Sequence, residues 1–266
     1  MPELPDVEVF RRYFDSTALH QEITAVEVRE TRLLDGIDTR QLNHLLRDKE
    51  FTGTERHGKY LFAQVASHGW LVLHFGMTGF LKYYKQSEEE PPYPRLLFEF
   101  SNGYRLAYDN MRMLGKVAYI DTIDDYVAKQ DLGPDALKLS EEDFIALIPE
   151  KRGMIKSALM DQSFIAGLGN IYVDEILFHT GIHPRRQVSD LSDIELQTMY
   201  DTMHEVLGTA IELEIVISEF PGDYLIHYRD EDAECPKCGS PIRKIKVASR
   251  STYFCERCQP IKESGE

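Results

Sequence analysis

The sequence predicts an α+β multidomain chain: an N-terminal helix with a two-layer β-sandwich or barrel, then a helical region, then a small cysteine-bound β-hairpin. Three observations predict it. Between residues 22 and 119 short runs rich in β-branched and aromatic residues recur with turn signals between them, whereas beyond residue 140 apolar residues recur at the three-and-four spacing of helices. Four cysteines fall in one C-terminal segment, as Cys235-Pro-Lys-Cys238 and Cys255-Glu-Arg-Cys258. A chain of 266 residues, 42% hydrophobic, is long enough for two domains of ordinary size.

The chain starts Met1-Pro2-Glu3-Leu4-Pro5-Asp6-Val7-Glu8, where neither strand nor helix propensity is satisfied until about Val7. One reading is a Pro-rich leader to a capped helix, with Pro5 near its first turn and Asp6 and Glu8 favourable to its dipole. The other is chemical. Removal of Met1 would leave Pro2 a free secondary amine, which condenses with an aldehyde carbon to give an iminium cation, with Glu3 beside it as acid or base. Val7, Val9, Phe10, Tyr13 and Phe14 then mark one apolar face of a helix over 6–17.

Strands are expected at 23–28, 50–55, 60–65, 70–75, 81–84, 96–100, 104–108 and 116–120, with a short helix at 39–46. Ser67-His68-Gly69 and Ser101-Asn102-Gly103 supply turn signals. The acidic, weakly periodic stretch 121–134 reads as a connector and boundary. Ser140-Glu141-Glu142-Asp143 caps a following helix, 153–160 and 171–179 supply two more, and 189–217 one or two longer ones introduced by Asp190-Leu191-Ser192-Asp193. Residues 222–232 read as loop, and 242–247 with 252–254 as a hairpin between the cysteine pairs. The expected division is 1–124, a linker at 125–139, 140–228 and 229–266.

Sixteen residues between two Cys-x-x-Cys pairs match a four-thiolate zinc site better than a disulfide framework, so one structural Zn2+ on Cys235, Cys238, Cys255 and Cys258 is expected. No run approaches the roughly 18 apolar residues of a membrane span, and no basic segment leads into an apolar one at the N-terminus. A soluble, cytoplasmic chain with no membrane partner is therefore expected. The net charge of -15 argues against a nucleic-acid binder taken whole. Its distribution leaves room for one basic face, because between residues 236 and 258 Lys237, Arg243, Lys244, Lys246, Arg250 and Arg257 are opposed only by Glu256.

Three further stretches could carry chemistry. Arg56-His57-Gly58-Lys59-Tyr60 sets a lysine at a strand start after a glycine turn, which a solvated turn would also explain. Ile165-Ala166-Gly167-Leu168-Gly169-Asn170-Ile171-Tyr172 is a Gly-x-Gly loop ahead of a helix, able to cradle a phosphate with Asn170 as cap. It lacks the third glycine and the preceding strand of a dinucleotide fingerprint, so no nucleotide cofactor is expected. Arg250-Ser251-Thr252-Tyr253 at the hairpin tip is a compact place for phosphate contacts.

Together these stretches resemble one family. Pro2-Glu3-Leu4-Pro5, Gly58-Lys59-Tyr60-Leu61, His74-Phe75-Gly76-Met77-Thr78-Gly79, Leu159-Met160-Asp161-Gln162 through Gly169-Asn170-Ile171-Tyr172, and Arg250-Ser251-Thr252 inside the four-cysteine segment resemble the formamidopyrimidine-DNA glycosylase and endonuclease VIII family from end to end. The resemblance implies a β-sandwich, a helix-two-turn-helix domain and a zinc finger. It further implies a monomeric base-excision-repair glycosylase and abasic-site lyase acting on damaged double-stranded DNA, removing oxidised bases of the formamidopyrimidine or 8-oxoguanine type. Pro2 would be the Schiff-base nucleophile, Glu3 the acid, Lys59 an aid to β-elimination, and Arg250 a phosphate grip aiding δ-elimination. Asn170, Lys151 and Lys156 would contact DNA, Met77, Arg112 and Leu114 would fill the gap left by a flipped base, and Tyr93 would stand where one branch has a DNA-contacting His.

Departures from the family pattern are Asp6 for Glu, Asn110 and Leu114 within Asn110-Met111-Arg112-Met113-Leu114-Gly115, and an acidic 228–232. Two alternatives stay open: the same chemistry on oxidised pyrimidines, or a non-catalytic zinc module binding nucleic acid or protein.

Overall fold

A computed structural model describes residues 1–66 and 69–261 in two compact units, Met1–Asp131 and Leu132–Glu266. The Ser67-His68 half of one expected turn lies outside the described residues. No helix among those described is long and apolar enough to cross a membrane.

In the first unit helix α1 spans Leu4–Thr17 and starts two residues earlier than the apolar period alone indicates. The reason is local. The backbone N–H of Glu3 donates to Asp6 Oδ2 at 2.8 Å while the Glu3 carboxylate accepts from the third helical N–H, a reciprocal cap that closes the first turn with Pro5 inside it. Strands β1 (Ile23–Val28), β6 (Pro94–Phe100), β7 (Tyr104–Asn110) and β5 (Gly79–Lys85) form one antiparallel sheet in that order. Strands β2 (Phe51–His57), β3 (Tyr60–Val65), β4 (Trp70–His74) and β8 (Lys116–Ile120) form the other.

Two open sheets with a shared core settle the architecture as a sandwich. Phe14, Phe51 and Phe98 meet edge-on at centroid distances of 5.0 and 5.6 Å, joining α1 to both sheets. Each such ring contributes about 1.5–3 kcal/mol of burial. Helix α2 (Thr39–Leu46) is capped by Asp38, which accepts from the Gln41 N–H at 2.8 Å.

The stretch read as a connector holds a helix, α3 (Ile123–Lys129), capped by Thr122. Tyr126 is its buried residue, packed on Phe62 and Tyr60, and one aromatic anchor in seven residues leaves no legible period.

In the second unit Ser140 caps α4 (Glu141–Leu147), and α5 (Ile155–Leu159) precedes α6 (Asn170–Thr180), which Gly181 closes with a φ of +69°. Helix α7 (Asp193–Glu212) carries a Ser192/Glu195 capping box and packs on α6. Strands β9 (Ile242–Val247) and β10 (Arg250–Cys255) pair from Val247↔Arg250 to Ile242↔Cys255. The hairpin is closed by Ala248 and Ser249, both at positive φ, the geometry of a two-residue turn that matches strand twist. Within the loop at 222–232, Leu225–Tyr228 makes a short helical turn that buries Leu225 against Phe178 and the cysteines.

Candidate functional site

In the first unit the N-terminus, the β2–β3 turn and two loops carry the candidate residues. Pro2 is half-buried and Glu3 is only 1% exposed, held as the helix cap described above. Gly58 turns the chain between β2 and β3 at a φ of +54°, and Lys59 after it lies near enough to the start of α1 for its charge to act on Asp6. Burial raises the Asp6 carboxyl, an effect that the Lys59 cation and the terminal amine partly offset. His74, its ring tilted against that of Tyr60 with centroids 4.8 Å apart, is pushed down to about 4 by burial and by the fields of Lys59 and Lys116. Pro2, Glu3, Asp6 and Lys59 therefore share one neighbourhood.

Arg56, which opens the Arg56–Tyr60 stretch but has no role of its own in the sequence reading, links these pieces. Buried in β2, its guanidinium donates to Glu8 Oε2 on α1 at 3.1 Å and to the Gly58 carbonyl at 3.2 Å. It clamps the lysine turn to the helix that carries Pro2. Arg11 also pairs with Glu8 at 2.7 Å, and the two guanidiniums hold the Glu8 carboxyl below its ordinary range against its desolvation.

Met77, Arg112 and Leu114 come together on two adjoining loops. The Arg112 N–H donates to Thr78 Oγ1 at 3.0 Å, and Asn110 Nδ2 donates to the Phe75 carbonyl at 3.1 Å. A Cβ on Gly76 would fall 2.5 Å from the Leu114 carbonyl oxygen, so the loops touch backbone to backbone. Leu114 stands 50% exposed and Met77 37%, an outward apolar pair beside an exposed cation. Tyr93 is anchored next to them: its N–H donates to Asp109 Oδ2 at 2.6 Å, its carbonyl accepts from the Asn110 N–H, and the Arg95 guanidinium lies 5.7 Å over its ring.

The second unit brings Asn170 to the β10 hairpin. The cap of α6 is Gly169 rather than Asn170, which is the first helical residue and donates through Nδ2 to the Ser251 carbonyl at 2.9 Å. Gln162 braces the glycine loop from within, donating to the Met160 and Leu168 carbonyls and accepting from the Gly167 N–H. Arg250 is exposed at the start of β10. Lys151 is partly exposed and paired with Asp161 at 2.7 Å.

Lys156 departs from its expected place on a DNA-facing surface. It is 0% exposed, and its ammonium donates to Asp174 Oδ1 at 2.5 Å and to Thr252 Oγ1 at 2.7 Å. A group with no accessible surface does not reach a phosphate, so its part is internal.

The four cysteine sulfurs lie within 4.8 Å of one another, with Cys235 and Cys258 at 3.8 Å and Cys238 and Cys255 at 3.5 Å. Tetrahedral coordination at 2.3 Å per Zn–S bond requires sulfur separations of about 3.8 Å. The set fits one zinc ion, and four thiolates leave it no open position for substrate, which makes the site structural.

Comparison with known proteins agrees with this arrangement. The pattern described as formamidopyrimidine-DNA glycosylase N-terminal domain matches residues 1–117, that of the corresponding H2TH domain residues 132–221, and a zinc finger found in FPG and IleRS residues 234–261. The formamidopyrimidine-DNA glycosylases of Pelotomaculum thermopropionicum and Solibacter usitatus are 33% and 34% identical, covering 98% and 97% of this chain and 100% and 99% of their own. Among solved structures, Lactococcus lactis formamidopyrimidine-DNA glycosylase non-covalently bound to abasic-site DNA superposes with a TM-score of 0.87 at 30% identity, covering 97% of this chain and 100% of that one. MutM in complex with DNA containing carbocyclic 8-oxoguanine gives 0.88 at 30% identity, with 98% and 100% covered. On sequence, fold and zinc-site geometry alike, the chain belongs to the formamidopyrimidine-DNA glycosylase family.

Proposed function

We propose that this protein is a DNA glycosylase and abasic-site lyase that removes oxidised purines from double-stranded DNA, with Pro2 as nucleophile once Met1 is removed. The observation that carries the reading is the N-terminal cap: Glu3, next to Pro2 in the chain, is buried at the head of α1, and the charge of Lys59 acts on Asp6 in the first turn of the same helix. The Pro2 amine attacks C1′ as the glycosidic bond breaks, the departing base taking a proton from water, and a proton delivered to O4′ breaks the C1′–O4′ bond and opens the sugar to an iminium. Glu3, as a carboxylate, takes the proton that Pro2 loses on attack and delivers it to O4′.

The iminium acidifies the C2′ proton. Its loss expels the 3′ phosphate, a second proton loss expels the 5′ phosphate, and water then hydrolyses the imine to free Pro2. Lys59 aids the eliminations by stabilising phosphate charge. Arg250 and Asn170 grip backbone phosphates, with Lys151 adding a contact if it exchanges Asp161 for DNA. Met77, Arg112 and Leu114 fill the space left by the flipped base, offsetting an unstacking cost of a few kcal/mol, and Tyr93 borders that wedge. The purine reading is supported by two solved relatives, a Lactococcus lactis FPG mutant in complex with Fapy-dG-containing DNA and MutM in complex with carbocyclic 8-oxo-G-containing DNA.

Borohydride reduction during turnover of an abasic-site duplex tests the reading. A stable adduct mapping to Pro2 is expected; an adduct on any lysine would overturn the assignment.

A further inference from the structure

The zinc ion secures only one end of the β9–β10 hairpin. Cys255 closes β10 at the metal, whereas Arg250 begins the strand five residues earlier, about 17 Å away at some 3.4 Å per residue. A two-stranded hairpin is marginal by itself, so another set of contacts must fix its tip.

Those contacts fall on three consecutive residues. The Ser251 carbonyl accepts from Asn170 Nδ2, Thr252 Oγ1 accepts from Lys156 Nζ, and the Tyr253 N–H donates to Asp174 Oδ2 at 3.2 Å. Asp174, on α6, also accepts from Lys156 through Oδ1 and from Arg229 through Oδ2 at 2.8 Å. The Arg229 guanidinium lies 4.9 Å over the Tyr253 ring. Thr252 Oγ1 in turn donates to the Arg250 carbonyl at 3.2 Å, so a chain of hydrogen bonds runs from buried Asp174 through Lys156 and Thr252 to the backbone of Arg250.

The energetics show what this arrangement does. The Lys156 and Asp174 side chains are both 0% exposed, and withdrawing two charges from water costs several kcal/mol per ion, which their attraction only roughly repays. Apolar side chains of similar volume would fill the same space without that desolvation cost. They could not accept the Tyr253 N–H or orient the Thr252 hydroxyl. What the ions supply is geometry.

We propose that the buried Lys156–Asp174 pair, with partly exposed Arg229 on the same carboxylate, is a positioning device for Arg250, setting the height and twist of the hairpin tip so that the guanidinium meets its phosphate. The inference rests on the reading of Arg250 as a phosphate grip.

The test is the paired replacement Lys156→Met with Asp174→Leu, examined alone and with Arg250→Ala. The paired variant should keep one zinc per chain and a cooperative melting transition, at a lower temperature than the parent because Arg229 and the Tyr253 N–H lose their carboxylate. It should bind a stable abasic-site duplex about tenfold more weakly, the lower end of what orienting groups are worth, with a salt slope shallower by about one unit. Adding Arg250→Ala should then cause no further loss.

Normal binding by the folded paired variant, or losses that simply add to those of Arg250→Ala, would overturn the proposal. If the paired variant does not fold, Asp174→Asn, which keeps shape and an acceptor, is read by the same cycle, and additivity with Arg250→Ala again overturns it. Should Arg250→Ala alone bind like the parent, the phosphate-grip reading fails and the positioning device falls with it. A deficit in Arg250→Ala with none in the paired variant removes the inference alone.

Discussion

At the scale of single residues, what could be read from the sequence was chemistry that announces itself locally. Pro2 beside Glu3 suggests an amine with an acid, and two Cys-x-x-Cys pairs suggest a metal, whatever the fold around them. Arg56 and Asp174 were opaque because their meaning lies in partners far along the chain: Arg56 meets Glu8, 48 residues away, and Asp174 meets Tyr253, 79 residues away. Lys156 misled for the same reason, since a lysine reads as surface until a buried carboxylate is found for it. His74 gives a pH prediction at this scale. Its folded value of about 4 lies below the unfolded value of about 6.5, so the unfolded state binds more protons between the two. The stabilisation is therefore complete above about 6.5 and lost as pH falls toward 4. Asp6, raised by burial, works in the opposite sense at lower pH, so the comparison must isolate the histidine. Urea unfolding should show the parent losing on the order of 1–2 kcal/mol more than His74→Phe between pH 7 and 5. Phe keeps a ring to pack against Tyr60. An equal loss in both proteins would assign the pH dependence elsewhere.

At the scale of elements, strands were legible almost to their ends, because clusters of β-branched and aromatic residues between turn signals mark them even where, as in β3 and β7, burial runs continuously rather than alternating. Strands β3 and β8 fall at the expected residues, and β5 and β7 extend a residue or two beyond them. Helix α3 was not legible, its one buried ring giving no period. The two wedge loops were legible only through family resemblance, since nothing local says that 75–78 and 111–115 adjoin. Their contact depends on absent side chains. A Cβ on Gly115 would sit 1.7 Å from Tyr108 Oη, whose hydroxyl donates to the His74 carbonyl and accepts from Asn110 Nδ2, so this knot leaves room for glycine alone. Leu114 is thus presented on a rigid base. If it fills the gap behind a flipped nucleotide, Leu114→Ala should slow base excision from an intact lesion duplex roughly tenfold, as expected for losing 1–2 kcal/mol of compensation for unstacking. Cleavage at a preformed abasic site should change little. Single-turnover rates on the two substrates decide it, and equal slowing on both would move the loop from base flipping into the chemistry.

At the scale of the whole molecule, a chain with a net charge of -15 is proposed to hold a polyanion, and salt dependence is where that tension becomes measurable. Each phosphate neutralised by a cation releases counterions, giving a slope of about -0.9 in log affinity against log salt per contact. With Lys156 buried beside Asp174, the cations proposed for phosphates reduce to Lys59, Lys151 and Arg250, for a slope of about -2.7. The value becomes shallower to the extent that Lys151 stays with Asp161, because a cation already paired displaces fewer ions from DNA. Carboxylates elsewhere on the surface lower absolute affinity through long-range repulsion, yet they release no DNA counterions and leave the slope nearly unchanged. Fluorescence anisotropy with an abasic-site duplex between roughly 50 and 200 mM salt measures both quantities. The parent should fall on a slope between about -2 and -3, and Arg250→Ala should be shallower by about one unit. A slope near zero in the parent would mean that these cations do not meet phosphates, and with that the DNA-binding reading would fail.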